Sequence, residues 1–216
     1  MTDQMKKLTP LMKAMARQMT KSLEAPQFQI ETEVDCAKLI DYRNKLSFKP
    51  SYTSILTKLT ADNLRNFPHL NASWGEDYLV LHEEVNIGIA TDTQRGLLVP
   101  VIKNASNKTL LEIHHAMEDI KAKRELGKFS LEDLSGGTFT ISNLGLFNVT
   151  SFHPVVNVPE VGILAISKIM DIPVVRSGQI VCGKSMRISL SVDHRVVDGA
   201  YCAHFMTELA NSIQCL

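Results

Sequence analysis

The residues with the most chemical potential stand together near the end of the chain, in the string SVDHRVVDGA at 191 to 200. Asp193, His194, Arg195 and Asp198 crowd there into an otherwise apolar stretch. An alternating strand that stops in Asp-His sets the imidazole at a sheet edge, where a turn aims it into a cleft. Histidine is the side chain whose ordinary pKa lies nearest neutrality, so His194 is a candidate general base. Asp198 stands just ahead of a helix, where its carboxylate either caps that helix or orients the loop holding His194. The bland alternative is a buried, satisfied histidine beside a capping aspartate. His69, His82, His114, His115, His153 and His204 sit in no comparable cluster.

A second constellation is GGTFTISNLG at 136 to 145, where Thr138, Thr140 and Ser142 alternate and so point one way from a strand. Rows of hydroxyls on strands are usually solvated surface. Asn143 and Gly145 mark a tight turn where Ser142 ends the strand. The third is NIGIATDTQRGLLVPVI at 86 to 102, with Asp92 and a Gln94 to Gly96 turn between apolar strands. Alone it reads as a hairpin.

Regular elements must position these groups. The recurrence of Leu11, Met15, Met19 and Leu23 predicts a helix over 10 to 23 whose apolar stripe packs on the core. A strand is expected at 27 to 35, a short helix at 38 to 46, and a helix at 51 to 66 with Ile55, Leu56 and Leu59 on one side. Strands follow at 78 to 81, 85 to 92 and 97 to 102. A helix over 109 to 125 turns Leu110, Ile113, Met117 and Ile120 inward. Gly136 and Gly137 open the TFTIS strand, and a loop runs from 143 to 160. Strands are expected at 161 to 168, around 179 to 181, and from 185 to 194, where Ile188, Leu190 and Val192 share a face. A helix over 198 to 214 sets Phe205, Leu209 and Ile213 against the sheet. No βαβ rhythm, repeat or linker interrupts this, so residues 1–216 read as one mixed α/β domain.

Composition narrows the function. The chain has 23 basic and 23 acidic residues, so no net field draws it to nucleic acid or to an anionic membrane. An anionic ligand must be held locally. Cys36, Cys182, Cys202 and Cys215 form no CxxC pair, which argues against a zinc site and a disulfide framework and points to a reducing cytoplasm. No apolar run approaches the roughly 18 residues that span a bilayer.

In order and spacing, DHRVVDGA at 193 to 200, GGTFTISNLG at 136 to 145 and NIGIATDTQRGLLVPVIKNA at 86 to 105 resemble the catalytic domain of the dihydrolipoamide acyltransferases. The resemblance runs from about Leu8 to the C-terminus. It implies a two-layer mixed α/β sandwich of the chloramphenicol acetyltransferase-like type, and a homotrimer with active sites at subunit interfaces. It further implies transfer of an acyl group between dihydrolipoamide and coenzyme A in a 2-oxo acid dehydrogenase complex, without a metal. By the family pattern His194 is the general base, Ser142 the hydroxyl that donates to the oxyanion, and Asp198 a structural support for the His194 loop. Coenzyme A contacts carried over are Arg43, Ser51, Asp92, Asn143, Ser167 and Ile169. Arg43 serves a phosphate on this reading, or a surface ion pair with Asp41.

The SNLGLF string resembles the pyruvate-type acetyltransferases, so acetyl is the expected group, ahead of branched-chain acyl. The implied partners are a lipoyl domain, the decarboxylase and dihydrolipoamide dehydrogenase. No lipoyl or peripheral subunit-binding domain is read in these residues, so the lipoyl carrier is expected from another domain or chain. Two departures stand out. Met12 occupies a position where many relatives carry Arg or Gln, which leaves the partner of Asp198 open. The chain also stops at Cys215 and Leu216, where relatives continue with a tail that joins trimers into larger cores. The alternatives are a same-fold acetyltransferase with a hydroxyl acceptor and a non-catalytic core scaffold.

Overall fold

Thr9 and Pro10 start the first helix: the Thr9 hydroxyl accepts from Met12 N at 3.2 Å, and proline tolerates the first turn because it has no N–H to satisfy. In the computed structural model, which describes residues 5–216, the elements run α1 (Pro10–Ser22), β1 (Gln27–Asp35), α2 (Ala37–Lys45) and α3 (Tyr52–Leu64). Then come β2 (Ala72–Trp74), β3 (Leu79–Leu81), β4 (Ile87–Ile89), β5 (Thr91–Thr93), β6 (Gly96–Leu98) and β7 (Val101–Ile102). A 3₁₀ turn at Ala105–Asn107 leads into α4 (Leu110–Leu126), followed by β8 (Phe139–Asn143), β9 (Gly162–Ile166), β10 (Met170–Arg176), β11 (Gln179–Asp193) and α5 (Gly199–Gln214).

The main sheet has the order β1-β11-β9-β8-β4-β7, with β10 paired to the first half of β11. It is mixed: β8 runs parallel to both β4 and β9, and the other pairs are antiparallel. Period two divides its faces. Met186, Ile188, Leu190 and Val192 of β11, Leu164 and Ile166 of β9, and Phe139 and Ile141 of β8 join one apolar core with Ile55, Leu56 and Leu64 of α3 and Phe205, Leu209 and Ile213 of α5. Helices thus cover one face, and the domain is a two-layer mixed α/β sandwich. The outward residues of β11, Ser185, Arg187, Ser189, Ser191 and Asp193, are polar, and the loop from 144 to 161 roofs part of that face through Val156 and Val158 on Ile163.

Four expectations change. The α1 stripe is not core within this chain: Met15 and Leu23 are exposed, Leu23 by 77%. Polar bonds tie α1 down instead, Ser22 Oγ to Val156 O at 2.6 Å and Gln18 to Asn157 and Val158. The strands expected around 179 to 181 and at 185 to 194 are one 15-residue strand, because β10 pairs with its first half and Gly183 lets Val174 approach. The strand expected at 85 to 92 divides into β4 and β5, and β5 forms the hairpin with β6 across Thr93 and Gly96. Finally, Thr138 and Thr140 are buried, not solvated.

Candidate active site

His194 follows the last residue of β11 and is exposed. Its backbone N–H donates to Pro26 O at 2.9 Å and its ring lies 5.0 Å from the Phe28 ring. Nδ1 stands 3.0 Å from Val197 O. A carbonyl only accepts, so Nδ1 carries the proton and Nε2 presents the lone pair, as a base requires. Asp198 caps α5, its carboxylate accepting from Tyr201 N at 2.8 Å. That is the partner left open by Met12, and it realises the capping reading.

Ser142 stands near the other end of the sheet, on the outward face of β8. Its hydroxyl is half-buried and makes no hydrogen bond among the described residues, which leaves the donor available. Next to it, Asn143 turns to the helix side, where Nδ2 donates to Thr53 Oγ1 at 2.7 Å and Oδ1 accepts from Gly145 N at 2.7 Å. This Asx turn carries the chain off the strand. Gly145 is required there, because a Cβ would meet Ser167 O at 2.8 Å.

A cleft of about 520 Å³ opens beside this turn, within the range of small-molecule sites. Arg43, Ser51, Asn143, Ser167 and Ile169 all line it, over an apolar floor that includes Leu56 and Met186. Arg43 Nε donates to Pro50 O at 2.6 Å and its guanidinium lies over the Tyr52 ring at 5.1 Å. It has no ion pair with Asp41 among the described residues. Ser51 caps α3, accepting from Ser54 N at 3.0 Å. Ser167 Oγ locks β9 to β11 by donating to Arg187 O at 2.6 Å. Asp92 is not brought into the cleft: it is exposed on the β5–β6 hairpin, and its carbonyl accepts from Arg124 Nε at 2.6 Å. Sequence reasoning missed Tyr52, Thr53 and Lys168, which also line the cleft. Lys168 adds a second cation, with Nζ donating to Asn148 Oδ1 at 2.9 Å. Its signal was only its position next to Ser167.

His194 and Ser142 are far apart within one chain. Ser142 pairs with Ala165 of β9, Ala165 pairs with Ser189 of β11, and His194 lies five residues beyond Ser189. Two strand spacings of about 4.8 Å and five residues at about 3.3 Å separate their Cα atoms by about 19 Å. The buried Cys36 and Cys202 thiols are no substitute nucleophiles, since burial pushes both up to about 12.

The family model described as 2-oxoacid dehydrogenases acyltransferase (catalytic domain) matches residues 1–215. The dihydrolipoyllysine-residue acetyltransferase component of the pyruvate dehydrogenase complex from Staphylococcus epidermidis is 38% identical over 204 residues, covering 90% of this chain and 47% of that protein. The chain spans about half the length of the curated relatives it matches. A crystallographic and enzymatic study of a serine, a histidine and an asparagine in the catalytic mechanism of Azotobacter vinelandii dihydrolipoamide acetyltransferase supplies a structure with TM-score 0.92 and 33% identity, covering 98% of this chain and 91% of that one. Chloramphenicol acetyltransferase, at 14% identity and TM-score 0.62 over 90% of this chain and 92% of that one, shares the fold.

Proposed function

The chain belongs to the family of 2-oxoacid dehydrogenase acyltransferase catalytic domains, and on that premise we propose that it moves an acetyl group between dihydrolipoamide and coenzyme A. One observation carries this reading: five residues expected to contact coenzyme A, scattered between positions 43 and 169, line a single cleft next to Ser142. In a chain of zero net charge, Arg43 and Lys168 in that cleft are a local provision for phosphates.

On this reading His194 Nε2 takes the proton of the attacking thiol, and the resulting thiolate adds to the thioester carbonyl. Ser142 Oγ–H donates to the oxygen on which negative charge develops. His194 returns its proton to the departing thiolate, so the residues end as they began. The Azotobacter protein supports the roles by spacing: its serine stands 52 residues before its histidine and its asparagine four after, as Ser142, His194 and Asp198 do here.

His194 and Ser142 must both reach the same tetrahedral intermediate within hydrogen-bond distance, and about 19 Å within one chain denies it. His194 of one subunit therefore works with Ser142 of a neighbour, in a homotrimer. Exposed apolar surface supports such an assembly: the α1 stripe, Leu146 beside the cleft, and Val175 and Ile180 on the β10–β11 arm. A two-stranded arm is marginal alone in water. Residues 1–216 act as one catalytic domain, with a lipoyl domain, the decarboxylase and dihydrolipoamide dehydrogenase as partners. Four unpaired cysteines suit a cytoplasmic setting. No helix among the described residues is long and apolar enough to cross a membrane.

The test is turnover of acetyl-, succinyl- and isobutyryl-coenzyme A with free dihydrolipoamide, and of acetyl-coenzyme A with chloramphenicol. Fastest transfer of acetyl to dihydrolipoamide is expected. Preference for the hydroxyl acceptor, or no transfer by assembled protein, would overturn the reading.

A further inference from the structure

We infer that Asp193, Arg195 and Trp74 form a clamp that positions His194 for proton transfer, with Asp193 and Arg195 acting through the turn that holds the imidazole. The inference rests on His194 being the base. Asp193 is fully buried, and a buried carboxylate is tolerated only with partners. Arg195 supplies them: Nε donates to Oδ1 at 2.9 Å, Nη2 to Oδ2 at 2.5 Å, and the Arg195 backbone N–H to Oδ1 at 3.0 Å. The last bond closes the turn on which His194 sits. The Asp193 carbonyl tightens it further, accepting from Val196 N at 3.1 Å and Val197 N at 3.4 Å. Val197 then gives the carbonyl that receives His194 Nδ1–H. Asp193 thus grips both ends of the segment that fixes the tautomer of the base.

Trp74 holds the clamp from the other side. The Arg195 guanidinium lies 4.4 Å from the centre of its ring, a cation–π distance, and Trp74 N is bonded to Pro159 O at 2.8 Å. Lys21, Glu24, Glu76, Asp77 and Tyr78 line the cleft around the guanidinium, and the Glu24 charge also favours its protonated form. Helix capping does not explain this acid, because Asp198 already caps α5.

A purely structural clamp and a positioning clamp differ in what they do to proton transfer. The Asp193–Arg195 pair is neutral, so losing either member leaves one charge, of opposite sign in the two cases, beside the imidazole. The test is the pH profile of kcat, with KM for coenzyme A, in the assembled protein for Arg195→Gln, Asp193→Asn, the double variant and His194→Ala. Both single variants are expected to lower kcat about 10- to 100-fold, the cost of a misplaced catalytic group, and to change KM for coenzyme A by less than about twofold. The acid limb should move to higher pH in Arg195→Gln and to lower pH in Asp193→Asn, by on the order of one pH unit, and return in the double variant. Trp74→Leu is the gentler variant if a buried charge left alone prevents folding. It should lower kcat about 3- to 10-fold at constant KM for coenzyme A, the cost of a looser clamp. Wild-type kcat and an unmoved acid limb in the folded variants, with His194→Ala inactive, would overturn the clamp alone. Full activity in His194→Ala would overturn the base assignment on which the clamp depends.

Discussion

Replacing Glu160 with glutamine should stabilise the protein at pH 8 and leave it nearly unchanged at pH 4 to 5. Glu160 is buried two residues ahead of β9, with Thr140 Oγ1 donating to Oε2 at 2.6 Å and Asn157 Nδ2 to Oε1 at 3.1 Å. Burial raises its carboxyl from 4.5 to about 7, and the two hydrogen bonds only partly oppose that. The folded chain therefore holds this proton more tightly than the unfolded chain. The contribution of Glu160 to stability is most favourable below about pH 4.5, declines as pH rises toward 7, and carries the full cost of a buried anion above that. At about 1.4 kcal/mol per pH unit the displacement is worth about 3 kcal/mol. Glutamine removes the ionisation and keeps one hydrogen bond to each neighbour, its oxygen accepting from Asn157 and its amide donating to the Thr140 hydroxyl, whose direction reverses. For a domain of this size the gain at pH 8 corresponds to a rise in Tm of roughly 6 to 12 °C. Thermal melts of wild type and Glu160→Gln, at one protomer concentration and at pH 5 and pH 8, measure it directly. An equal difference between the two proteins at both pH values would refute the reasoning.

Three further predictions concern the site. Ser142→Ala should lower kcat by roughly 10²- to 10³-fold with little change in KM, the loss of one oxyanion donor; an increase of KM for coenzyme A at constant kcat would make it a binding residue. Arg43→Gln should raise KM for coenzyme A about 10-fold at unchanged kcat, the worth of one charge-assisted bond to phosphate, measured at constant ionic strength. Asp198→Asn should keep both activity and stability, because asparagine caps as well as aspartate, whereas Asp198→Ala should cost about 1 kcal/mol in urea denaturation.

The elements that carry chemistry were legible because their local chemistry agrees with the fold. Asp198 begins α5 as a cap, Ile188, Leu190 and Val192 alternate onto the core, and Thr109 with Glu112 closes a capping box at the start of α4. Legibility failed where other parts of the chain decide. Pro173, with the charged Asp171 and Arg176, hid β10, which survives because β11 supplies its partner strand. Thr140 looked solvated because nothing local announced Glu160, twenty positions on, lying against it. The α1 stripe has the right period for a core, but α3 and α5 already fill that face of the sheet. In the site, the residue types of His194 and Ser142 were readable, while the distance between them came only from strand register. The cleft residues Tyr52 and Lys168 carried no motif, and only the approach of α3 to the ends of β8 and β9 joins them.

The claim that the active site spans two subunits is tested most directly by mixing two inactive chains. Equal amounts of Ser142→Ala and His194→Ala protein, unfolded and reassembled together, give about three quarters mixed trimers, each with one interface where an intact His194 faces an intact Ser142. Acyl transfer should recover to about one quarter of wild type. Hybrid trimers seen by native mass spectrometry but no more active than the separate variants would contradict the account.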